Sequence, residues 1–366
     1  MATTYKTFLN NDVTTTRTLL HESVPVTGTI VSGTYGAFQS ESNIKTYSHG
    51  MFQSVYDYPH LSSSANHIFD ISCGFSSTSA LSQSSPTTAS KQEQKINIYN
   101  QMAQMLVGHD VSGSIRKFDQ DGDLGSGTKL TECFFIPFSR LLVKDEIKKG
   151  SFSIKLMTGA PFATPNIGTE AITLQDHNAA NDFRVNSPAG EYGLLLSSST
   201  AATDTALGLI YYQAGVCVLT ASVFDSGSAA SALGSAIDLT SSVMTDASVS
   251  GGGNVVQTLT GSNIDAMSHA IRHRIDNISF NNTTELNSTI YFCRANHNEF
   301  NYSSNPTYVN SSKIRVKNVS TDAPVTYMTT VGLYSADNEL LAVAKLSEPL
   351  KKTPENEVTL RVRLDY

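Results

Sequence analysis

Three groups of side chains in this 366-residue sequence have types and spacings suited to chemistry. The first is Asp119, Asp121 and Asp123 in "FDQDGDLGSG", where alternate carboxylates offer oxygens to a hard cation such as calcium. An EF-hand loop starting at Asp119 needs glycine at its sixth position and glutamate at its twelfth. Leu124 and Leu130 stand there instead, and the glycine, Gly122, falls fourth. An Asp/Gly hairpin turn therefore fits the segment better than a cation loop. The second group is His269 and His273, one helical turn apart in "SNIDAMSHAIRHRI" and able in principle to share a metal. Arg272 and Arg274 beside them repel a cation, and all four are read as a solvated polar face off the helix's apolar stripe. The third is His49, His60 and His67 near Asp57 and Asp70. A metal cluster is the sharp reading of that group, and separate surface residues, given the irregular spacing, the plain one.

The sequence has no GxSxG, GxxxxGK[ST], HExxH or CxxC motif. A glycan hydrolase needs two carboxylates across a cleft and favours broad aromatic platforms, whereas tryptophan is absent here. Cys73, Cys133, Cys217 and Cys293 each sit in an apolar run, which reads as four reduced, buried thiols. The expectation is a chain that is not an enzyme, with no catalytic, cofactor-binding or metal-binding residues and no cofactor.

The elements that position these residues read as mainly β with a few short helices: antiparallel sheets, sandwich-like, closed by a C-terminal hairpin and strand. Val358, Leu360, Val362, Leu364 and Tyr366 alternate with polar residues, the period of a strand with one buried face. Tyr327–Tyr334 and Glu339–Lys345 flank Ser335-Ala336-Asp337-Asn338, a hairpin loop, and Ile314, Val316 and Val319 supply a fourth strand of one closing sheet. Further strands are expected at Val26–Val31, "HIFDISCGF", "TECFFIPF" up to Pro137, "SFSIKLMTG", "EYGLLLSS" and "LGLIYYQAGVCVLTASVF". "NISFNNTTELNSTIYFCRA" reads as a hairpin. Helices are expected at 91–106, on a stripe of Ile96, Tyr99, Met102, Met105 and Leu106, and at 262–275, with Ser262 and Asp265 as a capping box. "VKDEIKK" reads as a short helix with Asp145 and Lys149 one turn apart. Composition divides the chain into 1–175, a β-rich part; 176–260, apolar strands and a Ser/Ala/Gly-rich excursion over 226–255; and 261–366, a helix with the closing sheet, with one continuous fold as the alternative.

The runs "VTYMTTVGLYSADNELLAVAKLSEPLKK" and "VRLDY", with "TRTLLHESVPVTGTIVSGTYG", "YSHGMFQSVYDYPHLSSSANHIFDIS", "NIYNQMAQMLVG" and "LLVKDEIKKGSF", resemble virion structural proteins of T-even-like tailed bacteriophages of marine cyanobacteria and related marine bacteria. The resemblance covers most of the chain and is weakest over 160–260. It implies a virion component and carries over no site residue. The expected role is a structural subunit of the tail, at the baseplate periphery where fibres attach. Its partners would be baseplate, tube or fibre subunits and further copies of itself. A capsid decoration or neck protein, a host-receptor adhesin acting through 226–255 or 295–310, and a glycan depolymerase are the rivals.

Composition agrees with a protein that works against other proteins. Charged residues are only 16%, while 15 Tyr and 16 Phe oppose disorder. Net charge is −7 with no basic tail, so nucleic acid is not an expected partner. No apolar run reaches 18 residues, and the first residues lack an apolar signal core. Synthesis in the host cytoplasm, with no membrane partner, is the expectation.

Overall fold

Alternating apolar and polar residues, punctuated by Gly, Asn and Ser, favour strands over helices, and the chain is mainly β with antiparallel pairing. A computed structural model describes residues 5–26, 41–83, 89–157, 171–197, 206–224, 259, 263–272, 275–303, 309–310, 313–314, 321 and 323–366. In chain order the strands are β1 Val13–Pro25, β2 Ile44–Thr46, β3 Gln53–Tyr56, β4 His67–Phe75, β5 Phe118–Asp119, β6 Lys129–Leu130, β7 Glu132–Pro137, β8 Glu146–Ile147, β9 Ser153–Met157 and β10 Ala171–Gln175. They continue with β11 Tyr192–Leu195, β12 Gly208–Tyr211, β13 Val216–Thr220, β14 Ile275–Ala295, β15 Val309–Asn310, β16 Lys313–Ile314, β17 Thr326–Tyr334, β18 Leu340–Lys352 and β19 Val358–Asp365. The helices are α1 Ala89–Leu106, α2 Arg140–Val143 and α3 Ile264–Arg272.

Two compact units divide the chain at 19/20 and 284/285, in place of the boundaries at 175 and 260 drawn from composition. The reason is long-range pairing. The first residues of β14 bond to β9 and β8, which tie 275–283 to 146–156 across more than a hundred residues of chain.

In the larger unit, residues 20–284, a seven-stranded sheet runs in the order β11-β12-β13-β7-β4-β3-β2. β7 is central, and its Pro137 sits at the strand's end, where a missing N–H costs least. Residues of β12 and β13 are buried throughout, as the apolar run implied. The second layer is β8, β9, β10 and the start of β14. Phe138, after β7, meets Phe280 of β14 at 5.2 Å between ring centroids, Phe152 at 5.8 Å and Phe69 of β4 at 6.2 Å. Aromatic contacts thus join the two sheets in one sandwich-like core. Helix α1 lies directly on β4. A Cβ on Gly74 would come within 2.5 Å of the Lys95 carbonyl oxygen, so the helix approaches only because that residue has no side chain.

The smaller unit, residues 1–19 with 285–366, holds the remainder of β14 paired residue for residue with β19, from Ser288 opposite Asp365 to Ala295 opposite Val358. It also contains the β17–β18 hairpin, turned at Ser335–Asn338 with Asn338 at φ 63°, as its Asp-Asn chemistry implied.

Several local expectations need correction. The terminal alternation is real, but Val358, Leu360, Val362 and Leu364 are only half-buried and Tyr366 is 72% exposed. No four-stranded closing sheet forms among the described residues: β17–β18 stands as a pair and β19 joins β14. The expected hairpin 277–295 is part of one 21-residue strand, because Asn282 and Thr283 are buried and bonded rather than turned outward. "VKDEIKK" is not helical. The helix comes earlier, at Arg140–Val143, and Lys144 at φ 57° ends it before β8. Strand β1 lies in the Thr-rich 13–25, while 27–31, 226–255, Val316, Val319 and Ser262 lie outside the described residues. On α1 the buried face includes Lys95, and Met105 is exposed.

Candidate functional site

The Asp119–Asp123 segment folds as the hairpin its Gly/Asp content implied, β5 paired with β6. One carboxylate oxygen from each aspartate lies within 4.8 Å of the others. A cation is already there: the Lys129 ammonium donates to Asp119 Oδ1 at 2.6 Å and to the Gly125 carbonyl at 2.7 Å. The Leu124 N–H takes Asp119 Oδ2 at 2.7 Å, and the Asp123 and Gly125 N–H groups close on Asp121 and Asp123. Burial raises the Asp119 carboxyl above its ordinary value, while the Asp123 N–H and then Asp119 hold Asp121 below its own. A divalent ion would have to compete with this ammonium for Asp119, while Asp121 and Asp123 stay exposed without a cationic partner in the cluster.

The histidine and aspartate group near residue 60 is brought together in part. His67 Nε2 lies 2.7 Å from Asp70 Oδ1, to which the Ser54 hydroxyl donates at 2.5 Å, and the Tyr47 hydroxyl lies 3.2 Å from Ser54 Oγ. His60 instead bonds the Ser42 carbonyl through Nδ1, and Asp57 is taken by the Asn66 N–H at 2.6 Å and amide at 2.8 Å. The antiparallel pairing of β3 with β4 places Ser54 opposite Asp70. Serine, aspartate and histidine are all present, but the order is wrong for a nucleophile. Both Ser54 and His67 hold the same carboxylate oxygen, whereas a triad needs the imidazole between serine and acid. Around this chain lies a ring cluster. Tyr47 stacks on His49 with centroids 5.1 Å apart, Phe52 tilts against both, Tyr56 meets His67 edge-on at 5.6 Å, and the Lys45 ammonium sits 4.9 Å over Tyr47. The phenol of Tyr56 is pushed up by burial and then by Tyr47. What the group offers is a half-exposed aromatic and polar face.

The four cysteines form no disulfide. Cys73, Cys133 and Cys217 are buried, and burial raises each thiol, Cys73 to about 11, so none is a thiolate nucleophile. His273 and the side chain of His269 lie outside the described residues. Their neighbour Arg272, expected on a wet face, is fully buried, a correction to the reading of that helix as polar there.

Sequence reasoning missed the most constrained carboxylate. Asp176 is 1% exposed and accepts from the Gly150 N–H at 2.7 Å, the Phe152 N–H at 2.9 Å and the Tyr212 hydroxyl at 3.0 Å. Burial outweighs the three donors and lifts its carboxyl to about 6. Its only sequence signal was a lone Asp at a strand end. Lys352 was missed likewise. It is fully buried in the smaller unit, and its ammonium donates to the His297 carbonyl at 3.2 Å, Asn301 Oδ1 at 2.7 Å and the Thr353 carbonyl at 2.8 Å.

A scan against protein-family models, a search of curated proteins and a search of solved structures each returned no match. Among the described residues no helix is long and apolar enough to cross a membrane.

Proposed function

We propose that the chain is a non-enzymatic structural subunit of a tailed-phage virion, acting by protein–protein assembly at the tail, at the baseplate periphery where fibres attach. Its partners are baseplate, tube or fibre subunits and other copies of itself. The sequence resemblance supports the virion. One structural observation supports assembly: two thirds of the large apolar side chains that are exposed among the described residues lie in the smaller unit, which is under a third of the chain. A lone protein pays for such surface in solubility, whereas a subunit hides it against neighbours. Mass spectrometry and cryo-microscopy of purified particles test the reading. The expected result is density for this chain at the baseplate rim. Density on the capsid or neck alone would move it to the decoration or neck reading, and absence from particles would overturn it.

The half-exposed rings of Tyr47, His49, Phe52 and Tyr56 favour one second reading, a host-receptor adhesin. Saturable binding of the purified protein to host cells, lost in Tyr47→Ala with Phe52→Ala, would establish it.

A further inference from the structure

Among its described residues, the smaller unit buries few apolar side chains for a domain of its size. A chain of roughly 100 residues that folds alone removes well over half of its surface from water, largely into an apolar core. Here the main apolar cluster takes all its members from the larger unit, and the buried apolar side chains of the smaller one, among the described residues, are Ile290, Ala295 and Leu333. Its β17–β18 hairpin instead turns Tyr327, Tyr334, Leu340, Leu341 and Val343 outward, each 44–67% exposed, while Leu350 opposes Met328 on the other face. Gly332 lets two of them close over the strand: a Cβ there would meet Tyr334 at 2.9 Å and Leu340 at 3.3 Å. These five side chains present on the order of 500 Å² to solvent, a large part of the ~800 Å² per partner of a stable interface.

Charge says what covers this face. The smaller unit carries eleven Lys and Arg against ten Asp and Glu, a net of +1, so the total of −7 leaves −8 on the larger unit. A near-neutral surface gains little from a strongly charged partner, and two copies of it approach with little net repulsion. Signs are also arranged along the hairpin. Glu339 precedes β18 and Lys351 stands near its end, both exposed. Two identical strands laid antiparallel in the register centred on Lys345 put each Glu339 against the other copy's Lys351, two opposite-charge pairs that outnumber the one Lys345–Lys345 contact at the axis.

We propose that the outer face of the β17–β18 hairpin is a self-association surface, on which a second copy of this chain packs its own hairpin antiparallel. This deepens the assembly reading and rests on it. Sedimentation equilibrium of the full-length chain is the test, with circular dichroism to verify folding. The wild type should be at least a dimer at about 10–100 μM. Leu341→Glu with Val343→Glu should weaken association at least ~10-fold, the scale of losing an interface anchor. Leu61→Glu, at an 89% exposed site of the larger unit, should leave association unchanged. Lys351→Glu should weaken it, and adding Glu339→Lys should restore it, which a merely misfolded variant would not do. A wild type that stays monomeric, hairpin variants that associate like wild type, or a charge swap without rescue would overturn the proposal. A monomer in solution that is nevertheless found in purified particles would sink self-association alone. Absence from particles would sink the assembly reading.

Discussion

At the scale of single residues, the buried ionisable groups are those most open to test. Asp176 holds two backbone N–H groups and the Tyr212 hydroxyl. Asp176→Ala strands three buried donors, and urea unfolding should show a loss of about 2–4 kcal/mol. Its raised carboxyl also gives a pH signature. The folded state keeps the proton up to about 6, whereas an unfolded carboxyl loses it near 3.8. Between those values the folded form binds more protons, so the contribution of this group to stability falls as pH rises through the window and levels off above it. Asp176→Asn should flatten that slope in midpoint measurements at pH 4 and pH 7. At the β5–β6 turn, Lys129 already neutralises Asp119. Millimolar calcium should therefore leave the wild-type melting temperature unchanged. A stabilisation that Lys129→Met enlarges would show that the ammonium competes with an ion.

At the scale of elements, the same alternation that marks a strand also hides what the strand does. β4, β7, β12 and β13 were legible because runs such as "HIFDISCGF" and "ECFFIP" are apolar enough to need burial on both faces. β14 was not. Asn281-Asn282-Thr283-Thr284 has the composition of a turn, yet Asn282 donates to the Leu142 carbonyl and Thr283 lies against β8, so the polar residues satisfy a buried crossing instead of ending the strand. The pairing of Ser54 with Asp70 was equally invisible, because it depends on the register of β3 against β4 rather than on spacing. Lys95 is no part of the stripe read for α1 yet is buried, since α1 is seated by Gly74 and not by its apolar stripe alone. That seat makes a prediction. Gly74→Ala forces a Cβ against the Lys95 carbonyl and the Tyr99 N–H, and thermal unfolding should show a loss of about 1–3 kcal/mol, large for one methyl group.

At the scale of the molecule, the chain divides its labour by charge and by burial. The larger unit carries the acidic excess and the apolar core. The smaller is close to neutral, with an apolar hairpin turned outward and a buried lysine held by three oxygens. Composition anticipated such a protein only in outline, through low charge and many tyrosines. Which surface stays open depends on β19 leaving the hairpin to pair with β14, a choice no local pattern encodes.

The interior of the smaller unit, which buries the ammonium of Lys352 beside few apolar side chains among the described residues, sets how its stability responds to temperature. Unfolding apolar interiors raises heat capacity, and exposing polar ones lowers it. Scanning calorimetry of the lone chain should accordingly give an increment below the ~12–15 cal/mol/K per residue usual for globular proteins. On the proposed self-association the shortfall should vanish once the hairpins are covered, and assembly would then supply the curvature that a finished domain carries within.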